Sequence, residues 1–427
     1  MDYLRRTIDS ELDELMPFAA AIALDGPKGV GKTGTAARRA AHTVRLDRPG
    51  ERTVISNDFD LDTLPQGTIL FDEWQHLPQV WDSVRRSVDD GAPPGRFLLT
   101  GSATPVDAAG THSGAGRILS LRMRPMGFHE RRLSTPTVKF SDLLYGQGGS
   151  VDEPRFETLA EIDGSTDVAV GDYAEAISAS GFPGIMAAPR RLRDRQLDAY
   201  LQRVIDRDLP ERGAGVRSPE TLRRWLAAYG TASSTTASYS SILDATTGGD
   251  GYQPSKPTTI RYRDHLSQLW LLDPVPGWTS FRNPMKRIAQ APKHQLADPA
   301  LALRLLNLSG GDLLTGQGAH MFGPLFESLA TLGVRTLAQA CEARVFHLRT
   351  QNGDHEVDLV VEGQRGALMG IEVTLSGAID DRDVRHLHWF KDQMKGKVTD
   401  LAVLSSGRHA YRRSDGIAVI PLALLGL

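Results

Sequence analysis

The sequence has little of three things: cysteine, long apolar runs, and an excess of charge of one sign. Cys341 is the only cysteine in 427 residues, which excludes an intramolecular disulfide framework and a cysteine-based zinc site. No apolar run approaches the roughly 18 residues that span a bilayer, and no charged-then-apolar leader begins the chain. We therefore expect a cytoplasmic protein without a membrane partner. A net charge of −3 gives no overall attraction to nucleic acid, so DNA binding would need a local basic patch.

The clearest motif is the stretch Gly-Pro-Lys-Gly-Val-Gly-Lys-Thr at residues 26–33, which fits the phosphate-binding pattern G-x-x-x-x-G-K-[ST] without a mismatch. An apolar run at 18–25 precedes it and suits a buried strand, and a segment rich in helix formers follows at 35–42. Glycines allow backbone N–H groups to surround phosphate oxygens, and a helix N-terminus adds partial positive charge. The sequence therefore predicts a nucleotide-binding strand–loop–helix unit.

Each position of this loop has an expected part in binding. Lys32 is placed to contact the β- and γ-phosphates, and the Thr33 hydroxyl is placed to bind Mg²⁺. The nine residues expected to contact the nucleotide are Gly26, Pro27, Lys28, Gly29, Val30, Gly31, Lys32, Thr33 and Gly34.

A second signature lies about 40 residues further on, after a short β-prone run at 53–56. The apolar run 68–71 ends in Asp72 and Glu73, which predicts a buried strand with two carboxylates at its carboxyl edge, where ligands bind in open α/β sheets. Asp72 is expected to hold Mg²⁺ directly or through water, and Glu73 to polarise the attacking water.

Three further polar residues are candidates for the same site. Thr100 and Ser102 end the next predicted strand, where they could contact the γ-phosphate or orient water, although a plain strand-terminal turn explains each equally well. Arg117 follows a flexible glycine pair and could act as an arginine finger, either within the chain or from a neighbouring subunit of a homo-oligomer. A surface arginine is the alternative.

Together these motifs resemble the AAA+-type ATPases of bacteria and archaea whose ATPase module is followed by a C-terminal domain of uncharacterised function. The resemblance extends over nearly the whole chain. The residues that carry it are the phosphate loop, Asp72-Glu73, Thr100-Gly-Ser102, Gly116-Arg117, Pro125-Met-Gly-Phe128, and the stretches 180–184, 200–208 and 293–298.

The resemblance implies an α/β fold class with several domains and a preference for ATP. We divide the chain into an AAA+-type P-loop domain (1–150), a linker and helical connector (151–215), a winged-helix-like domain (216–300) and a restriction-endonuclease-like α/β domain (301–427). ATP and Mg²⁺ are the implied ligands.

The middle region carries a candidate DNA-binding helix. Ser218 before a proline signals a helix start, and residues 255–270 suit a recognition-type helix followed by a possible wing at 271–276. Lys256, Arg261 and Arg263 could then face phosphates or bases. Winged helices also serve as protein–protein modules, so a protein client stays open.

The C-terminal region has the element order of a restriction-endonuclease-like core: a helix bearing Glu327, three β-prone runs (343–349, 356–361 and 368–375), a helix at 383–394 and a strand at 399–404. Asp358 and Glu372 are the candidate ligands of a second metal site. This chemistry usually has a lysine two residues after the second carboxylate, but Thr374 stands there. Lys391 or Lys395 could supply the charge; otherwise the domain is a degenerate scaffold.

Three functions follow as hypotheses. The first is an Mg²⁺-dependent ATPase whose cycle drives conformational change acting on a protein or nucleic-acid client. The second is an ATP-regulated nuclease that uses Asp358 and Glu372. The third is a binding module switched by nucleotide without sustained turnover.

Overall fold

The computed structural model describes residues 3–61, 63–102, 115–209, 218–246, 254–278, 291–350, 353–394 and 396–427. The chain forms two compact units. The first comprises Met1–Pro125 and Leu266–Leu271, and the second comprises Met126–His265 and Leu272–Leu427. The four-part division of the chain stays a prediction.

The first unit is built on a parallel sheet. Its helices and strands are α1 (Thr7–Leu15), β1 (Ala21–Asp25), α2 (Lys32–Ala37), β2 (His42–Arg45), α3 (Pro49–Ser56), β3 (Ile69–Asp72), α4 (Gln79–Asp89), β4 (Phe97–Gly101) and β5 (Leu119–Arg122), with a 3₁₀ turn at Trp74–His76. The sheet order is β2-β3-β4-β1-β5, and every pairing is parallel.

The three central strands of this sheet are apolar because they are covered on both faces. β1, β3 and β4 are buried at every residue, as parallel strands between helical layers require. The core on one side includes Phe71, Phe97 and the tilted pair Trp74 and Trp81, whose ring centroids are 4.9 Å apart. All carboxyl ends therefore meet at one edge, where the phosphate loop and Asp72 lie.

One sequence-based expectation is wrong in this unit. The β-prone run at 53–56 is the end of helix α3, which begins at Pro49. Proline suits the first helical turn because its missing N–H would have no partner there. Ile55 is the one buried side chain of this helix, and it joins the core cluster.

The second unit is helical through its first half. After a short strand β6 (Val138–Lys139), its helices are α5 (Phe140–Tyr145), α6 (Val170–Ala179), α7 (Pro183–Met186), α8 (Arg190–Arg203), α9 (Pro219–Thr231), α10 (Tyr239–Ala245), α11 (Lys256–Gln268), α12 (Pro299–Leu305), α13 (Gly310–Leu314) and α14 (Phe322–Ala340), with a π-helical turn at Val204–Asp208.

The helix start expected at Ser218 is confirmed. Ser218 is the N-cap of α9, its hydroxyl accepts from the backbone N–H of Thr221, and Pro219 occupies the first helical position. A capping oxygen satisfies one of the unpaired N–H groups at a helix start.

The second half of this unit is a mixed sheet. It consists of β7 (Arg344–Arg349), β8 (Glu356–Glu362), β9 (Leu368–Thr374), α15 (Asp381–Met394), β10 (Asp400–Ser405), β11 (Tyr411–Arg412), β12 (Ala418–Pro421) and β13 (Leu425–Gly426), with short 3₁₀ turns between some of them. Six strands lie in the order β11-β12-β10-β9-β8-β7, and β13 pairs with β6.

The order helix, three strands, helix, strand expected for the C-terminal region is confirmed as a succession of elements. α15 packs its buried Leu387 and Phe390 against the same core as Val360 and Val403 of the sheet. No helix in the described part of the chain is long and apolar enough to cross a membrane.

Candidate functional site

The phosphate loop occupies the turn between β1 and α2, as the motif predicts. Gly26 follows directly after β1, and a Cβ there would lie 2.2 Å from the carbonyl oxygen of Met123. Gly31 is the N-cap of α2 and has a φ of 106°, a left-handed conformation that side chains rarely adopt. The two glycines therefore permit a backbone path that other residues would obstruct.

The side chain of Lys32 is folded into the loop. Its ammonium donates to the carbonyl oxygens of Gly26, at 2.7 Å, and Pro27, at 2.8 Å. Burial lowers the pKa of Lys32 to about 8, against the opposing effect of nearby carboxylates, of which Glu73 is the strongest. The loop thus holds a buried cation whose partners are two neutral carbonyl groups, an arrangement suited to an incoming anion.

Asp72 is held by two threonine hydroxyls. Thr33 donates to its Oδ1 at 2.7 Å, and Thr100 donates to the same oxygen at 2.6 Å. The register of β3 and β4 pairs Asp72 with Thr100, which explains why the two side chains meet. A carboxylate and a hydroxyl oxygen placed together are ligands that Mg²⁺ prefers, so these residues fit the implied ion.

Glu73 lies just beyond the end of β3 in a left-handed backbone conformation, with a φ of 56°. The amide of Gln75 donates to its carboxylate and also lies 3.4 Å from the Ser102 hydroxyl. Gln75 is a site residue that the sequence analysis missed. The only sign of it in the sequence is that Gln75 comes two residues after the pair Asp72-Glu73.

A second missed residue is Asp25, the last residue of β1. Burial raises its pKa to about 6, and a hydrogen bond from Ser120 together with the charges of Lys32 and Arg122 opposes that rise. Asp25 therefore adds a titratable carboxyl beside the phosphate loop.

Arg117 lies away from these groups. It precedes β5, at the edge where the strands begin, whereas the phosphate loop follows the carboxyl end of β1. Its guanidinium pairs with Asp89, at the end of α4, over 2.8 Å and is half-exposed. The structure does not bring Arg117 to the loop within this chain, and a role across a subunit interface stays a prediction.

The carboxylates predicted for the C-terminal region do converge. The antiparallel register that pairs Leu359 with Ile371 sets Asp358 opposite Glu372. The ammonium of Lys293 lies 2.9 Å from Asp358 Oδ1 and 2.8 Å from Glu327 Oε1.

The charges of these groups are strongly perturbed. The pKa of Glu372 is raised well above its usual range, mainly because the side chain is buried and also because of the negative charge of the neighbouring Asp358. Burial disfavours ionisation of Asp358, but the charge of Lys293 and the hydrogen bonds from Glu372, Lys293 and the backbone of Val373 together outweigh burial and lower the pKa of that carboxyl. Of this pair, Asp358 is therefore the carboxyl that ionises more readily.

The lysines expected from the helix after β9 do not supply the contact in the described part of the chain. Lys391 is exposed on α15, and Lys395 lies outside the described residues. Thr374 ends β9, and its hydroxyl accepts from the backbone N–H of Ser376. The lysine that contacts the carboxylates is Lys293, which the sequence analysis had noted only as part of a family-like stretch.

The candidate DNA-binding helix is present as α11. Lys256 and Arg261 are exposed on it, whereas Arg263 pairs with Asp264 and lies 5.2 Å from the ring centroid of Tyr239. The segment expected to form a wing makes isolated antiparallel bridges at Leu272 and Val275. DNA contact by this helix stays a prediction.

Three family models match parts of the chain. An AAA domain matches residues 19–131, the region that holds the phosphate loop and Asp72. The N-terminal region is therefore similar to P-loop ATPases of the AAA type, and this similarity supports ATP binding and hydrolysis in general terms. A domain of unknown function (DUF8612) matches residues 170–312, and another (DUF4143) matches residues 322–425. The winged-helix-like and restriction-endonuclease-like identities stay predictions.

Two curated proteins resemble the chain along nearly its whole length: uncharacterized protein Rv2008c of Mycobacterium tuberculosis and uncharacterized protein Mb2031c of Mycobacterium bovis. Each is 25% identical over 434 residues, which cover 98% of this chain and 83% of the relative. Among solved structures, the Walker-type ATPase PABY2304 of Pyrococcus abyssi matches with 14% identity and a TM-score of 0.38, over 71% of this chain and 96% of that one.

Proposed function

We propose that this chain binds ATP with Mg²⁺ at the phosphate loop and hydrolyses it, and that the cycle drives a conformational change acting on a protein or nucleic-acid client. The observation that carries the proposal is that the hydroxyls of Thr33 and Thr100 both donate to one carboxylate oxygen of Asp72. This oxygen lies near the buried ammonium of Lys32. These groups come from different elements and converge at the carboxyl edge of the sheet.

In this proposal Lys32 leaves its two carbonyl partners for phosphate oxygens, which are stronger acceptors because they are charged. Thr33 and Asp72 would hold the ion, which when bound neutralises phosphate charge. Thr100 keeps Asp72 in the orientation that allows this, since its hydroxyl is buried and already bonded to the carboxylate.

Glu73 is the residue proposed to take the proton of the attacking water. A general base must be near the reacting water and correctly oriented before its pKa matters. The bond from Gln75 supplies the orientation, because it fixes the carboxylate that the left-handed turn presents. Gln75 is therefore proposed as a positioning residue for Glu73.

The binding step is tested by isothermal titration of ATP with Lys32→Ala. Losing a charged hydrogen-bond donor costs about 1.5–3 kcal/mol, so we expect ATP affinity to fall roughly 10- to 100-fold. Lys139→Ala, which removes an exposed lysine in the second unit, is the matched control. Equal affinities for Lys32→Ala and wild type would refute binding at this loop.

The client is proposed to meet α11, on which Lys256 and Arg261 are exposed. DNA affinity measured with and without ATP, at stated salt, tests a nucleic-acid client because phosphate contacts weaken as salt rises. A nucleic-acid client predicts weaker binding by Lys256→Ala and Arg261→Ala. Unchanged binding by both would mean that DNA does not meet α11, and no DNA binding by the wild type would point to a protein client. Nucleotide-dependent binding without multiple turnovers would point to a switch.

A further inference from the structure

Lys293 is buried within a group of acidic side chains in the second unit. Its side chain is 1% exposed, and its ammonium lies 2.8 Å from Glu327, 2.9 Å from Asp358 and 3.6 Å from Glu356. Glu327 comes from α14, and Glu356 and Asp358 come from β8. We call these four residues, together with Glu372 of β9, the lysine–carboxylate cluster.

The backbone around Lys293 fixes its position. Lys293 exchanges both backbone hydrogen bonds with Val275, at 2.9 Å each. Two residues earlier, the carbonyl of Ala291 is bonded to the ring of His347, a fully buried residue of β7. The segment is therefore anchored at Lys293 and two residues before it, and the ammonium enters the cluster from a defined direction.

The resemblance to restriction endonucleases implies that Asp358 and Glu372 hold a divalent ion, and the residues do not fit that expectation. One oxygen of Asp358 accepts from Lys293, and the other accepts from the backbone N–H of Val373 at 2.9 Å. A hard cation needs several oxygens turned toward one point, but both Asp358 oxygens are already bonded. In the described part of the chain, no three acidic, histidine or cysteine side chains are arranged to hold a metal.

Lys293 also differs from a lysine that would activate water. Such a lysine must reach both the water and the phosphate, whereas Lys293 is 1% exposed and has carboxylates as its near side-chain partners. The position two residues after Glu372, where that lysine is expected, is held by Thr374.

We propose that the ammonium of Lys293 permanently takes the place of a divalent ion in this cluster. The lysine–carboxylate cluster then holds its elements together without a metal ion. It joins the segment around Lys293 to α14 and to the sheet, and it neutralises carboxylates that would otherwise repel one another. Because no ion enters the cluster, the second unit does not cleave nucleic acid through Asp358 and Glu372.

The test uses the nucleotide-free full chain carrying Asp72→Asn, which removes the carboxylate proposed to hold the ion at the phosphate loop, so that the loop does not contribute to ion binding. Mn²⁺ binding is followed by electron paramagnetic resonance, and thermal unfolding is recorded in EDTA and in millimolar Mn²⁺. We expect no bound Mn²⁺ and an unchanged melting temperature. Adding Lys293→Ala should lower the melting temperature in EDTA, and Mn²⁺ should then raise it by several degrees, because the ion binds only the folded cluster.

Two results would overturn the proposal. One is Mn²⁺ binding with the Lys293 side chain intact that Asp358→Asn abolishes. The other is a folded Lys293→Ala protein that does not respond to Mn²⁺. If Lys293→Ala does not fold, the Mn²⁺ titration with Lys293 intact decides, with Asp358→Asn as the comparison. Glu362→Gln is the matched control and should change neither Mn²⁺ binding nor the melting temperature, since its carboxylate lies on the same strand, outside the cluster, and pairs with Arg344.

Discussion

The hydroxyl of Thr100 lies 2.6 Å from Oδ1 of Asp72, the oxygen that also accepts from Thr33. Thr100 is 1% exposed, so this bond is shielded from solvent, and it joins two neighbouring strands. A hydrogen bond to a charged group in such a place is stronger and better defined than one at the surface. It sets the orientation of the carboxylate that we propose as an Mg²⁺ ligand.

Replacing Thr100 with valine should therefore weaken the use of Mg²⁺. Thr100→Val keeps the shape of the side chain but leaves Asp72 without one donor, at a cost of about 1–3 kcal/mol. We expect the Mg²⁺ concentration for half-maximal ATP turnover to rise, with nucleotide affinity in EDTA unchanged. Thr100→Ser retains the hydroxyl and should behave like the wild type. Equal Mg²⁺ dependence of the valine and serine variants would contradict the role of Thr100.

Gln75 should affect the rate of hydrolysis and not the binding of ATP. Gln75→Ala removes the bond that orients Glu73, so we expect kcat to fall by about tenfold with KM for ATP little changed. The exposed Gln79, four residues along the chain, supplies the control Gln79→Ala. In a Glu73→Gln background, Gln75→Ala should cause no further loss, since two residues that act as a unit are not additive. A full additional loss there would assign Gln75 another role.

ATP affinity should depend on pH through Lys32. The pKa of this ammonium is about 8 in the free protein, and the phosphates bind its protonated form. As pH rises through 8 the free protein loses the proton and must take it up again to bind, so affinity falls by about tenfold at pH 9. Titration calorimetry from pH 7 to pH 9.5 measures this. Lys32→Arg keeps its charge and should show a flat profile; an equally flat wild-type profile would contradict the assignment.

The sequence predicts the position of the phosphate loop in the fold better than it predicts the side-chain contacts around the loop. The phosphate loop and Asp72 are found by motif because phosphate binding demands particular residues at fixed spacing. Gln75 was missed because its role depends on the left-handed turn at Glu73, which brings its amide back to the preceding carboxylate. That reversal of the chain leaves no periodic pattern in the sequence.

The C-terminal region shows the same limit at longer range. Strand and helix order could be predicted from local runs of apolar residues. Lys293 could not, because it meets Glu327 and Asp358 across 34 and 65 residues of chain. The lysines predicted to supply the charge, Lys391 and Lys395, follow β9 in the sequence, whereas the contacting Lys293 precedes all the strands of this sheet.

Arg117 should have no effect on hydrolysis within a single chain. It pairs with Asp89 at a half-exposed position, where an ion pair contributes about 0–1 kcal/mol, so Arg117→Ala should leave stability nearly unchanged. ATP turnover per chain is measured over a range of protein concentrations, together with the molecular mass from light scattering. The two measurements separate an arginine finger that acts within one chain from one supplied by a neighbouring subunit. A loss at concentrations where the protein is monomeric would contradict the position found here. A loss confined to an oligomer would place the finger at an interface between copies.

The central claim is that the phosphate loop hydrolyses ATP with Glu73 as the base. The most direct measurement is ATP affinity and turnover in the same preparation of Glu73→Gln. We predict unchanged affinity and a turnover lowered by about 100-fold or more, because the amide cannot accept the proton. Turnover equal to that of the wild type, with affinity intact, would show that hydrolysis does not depend on Glu73.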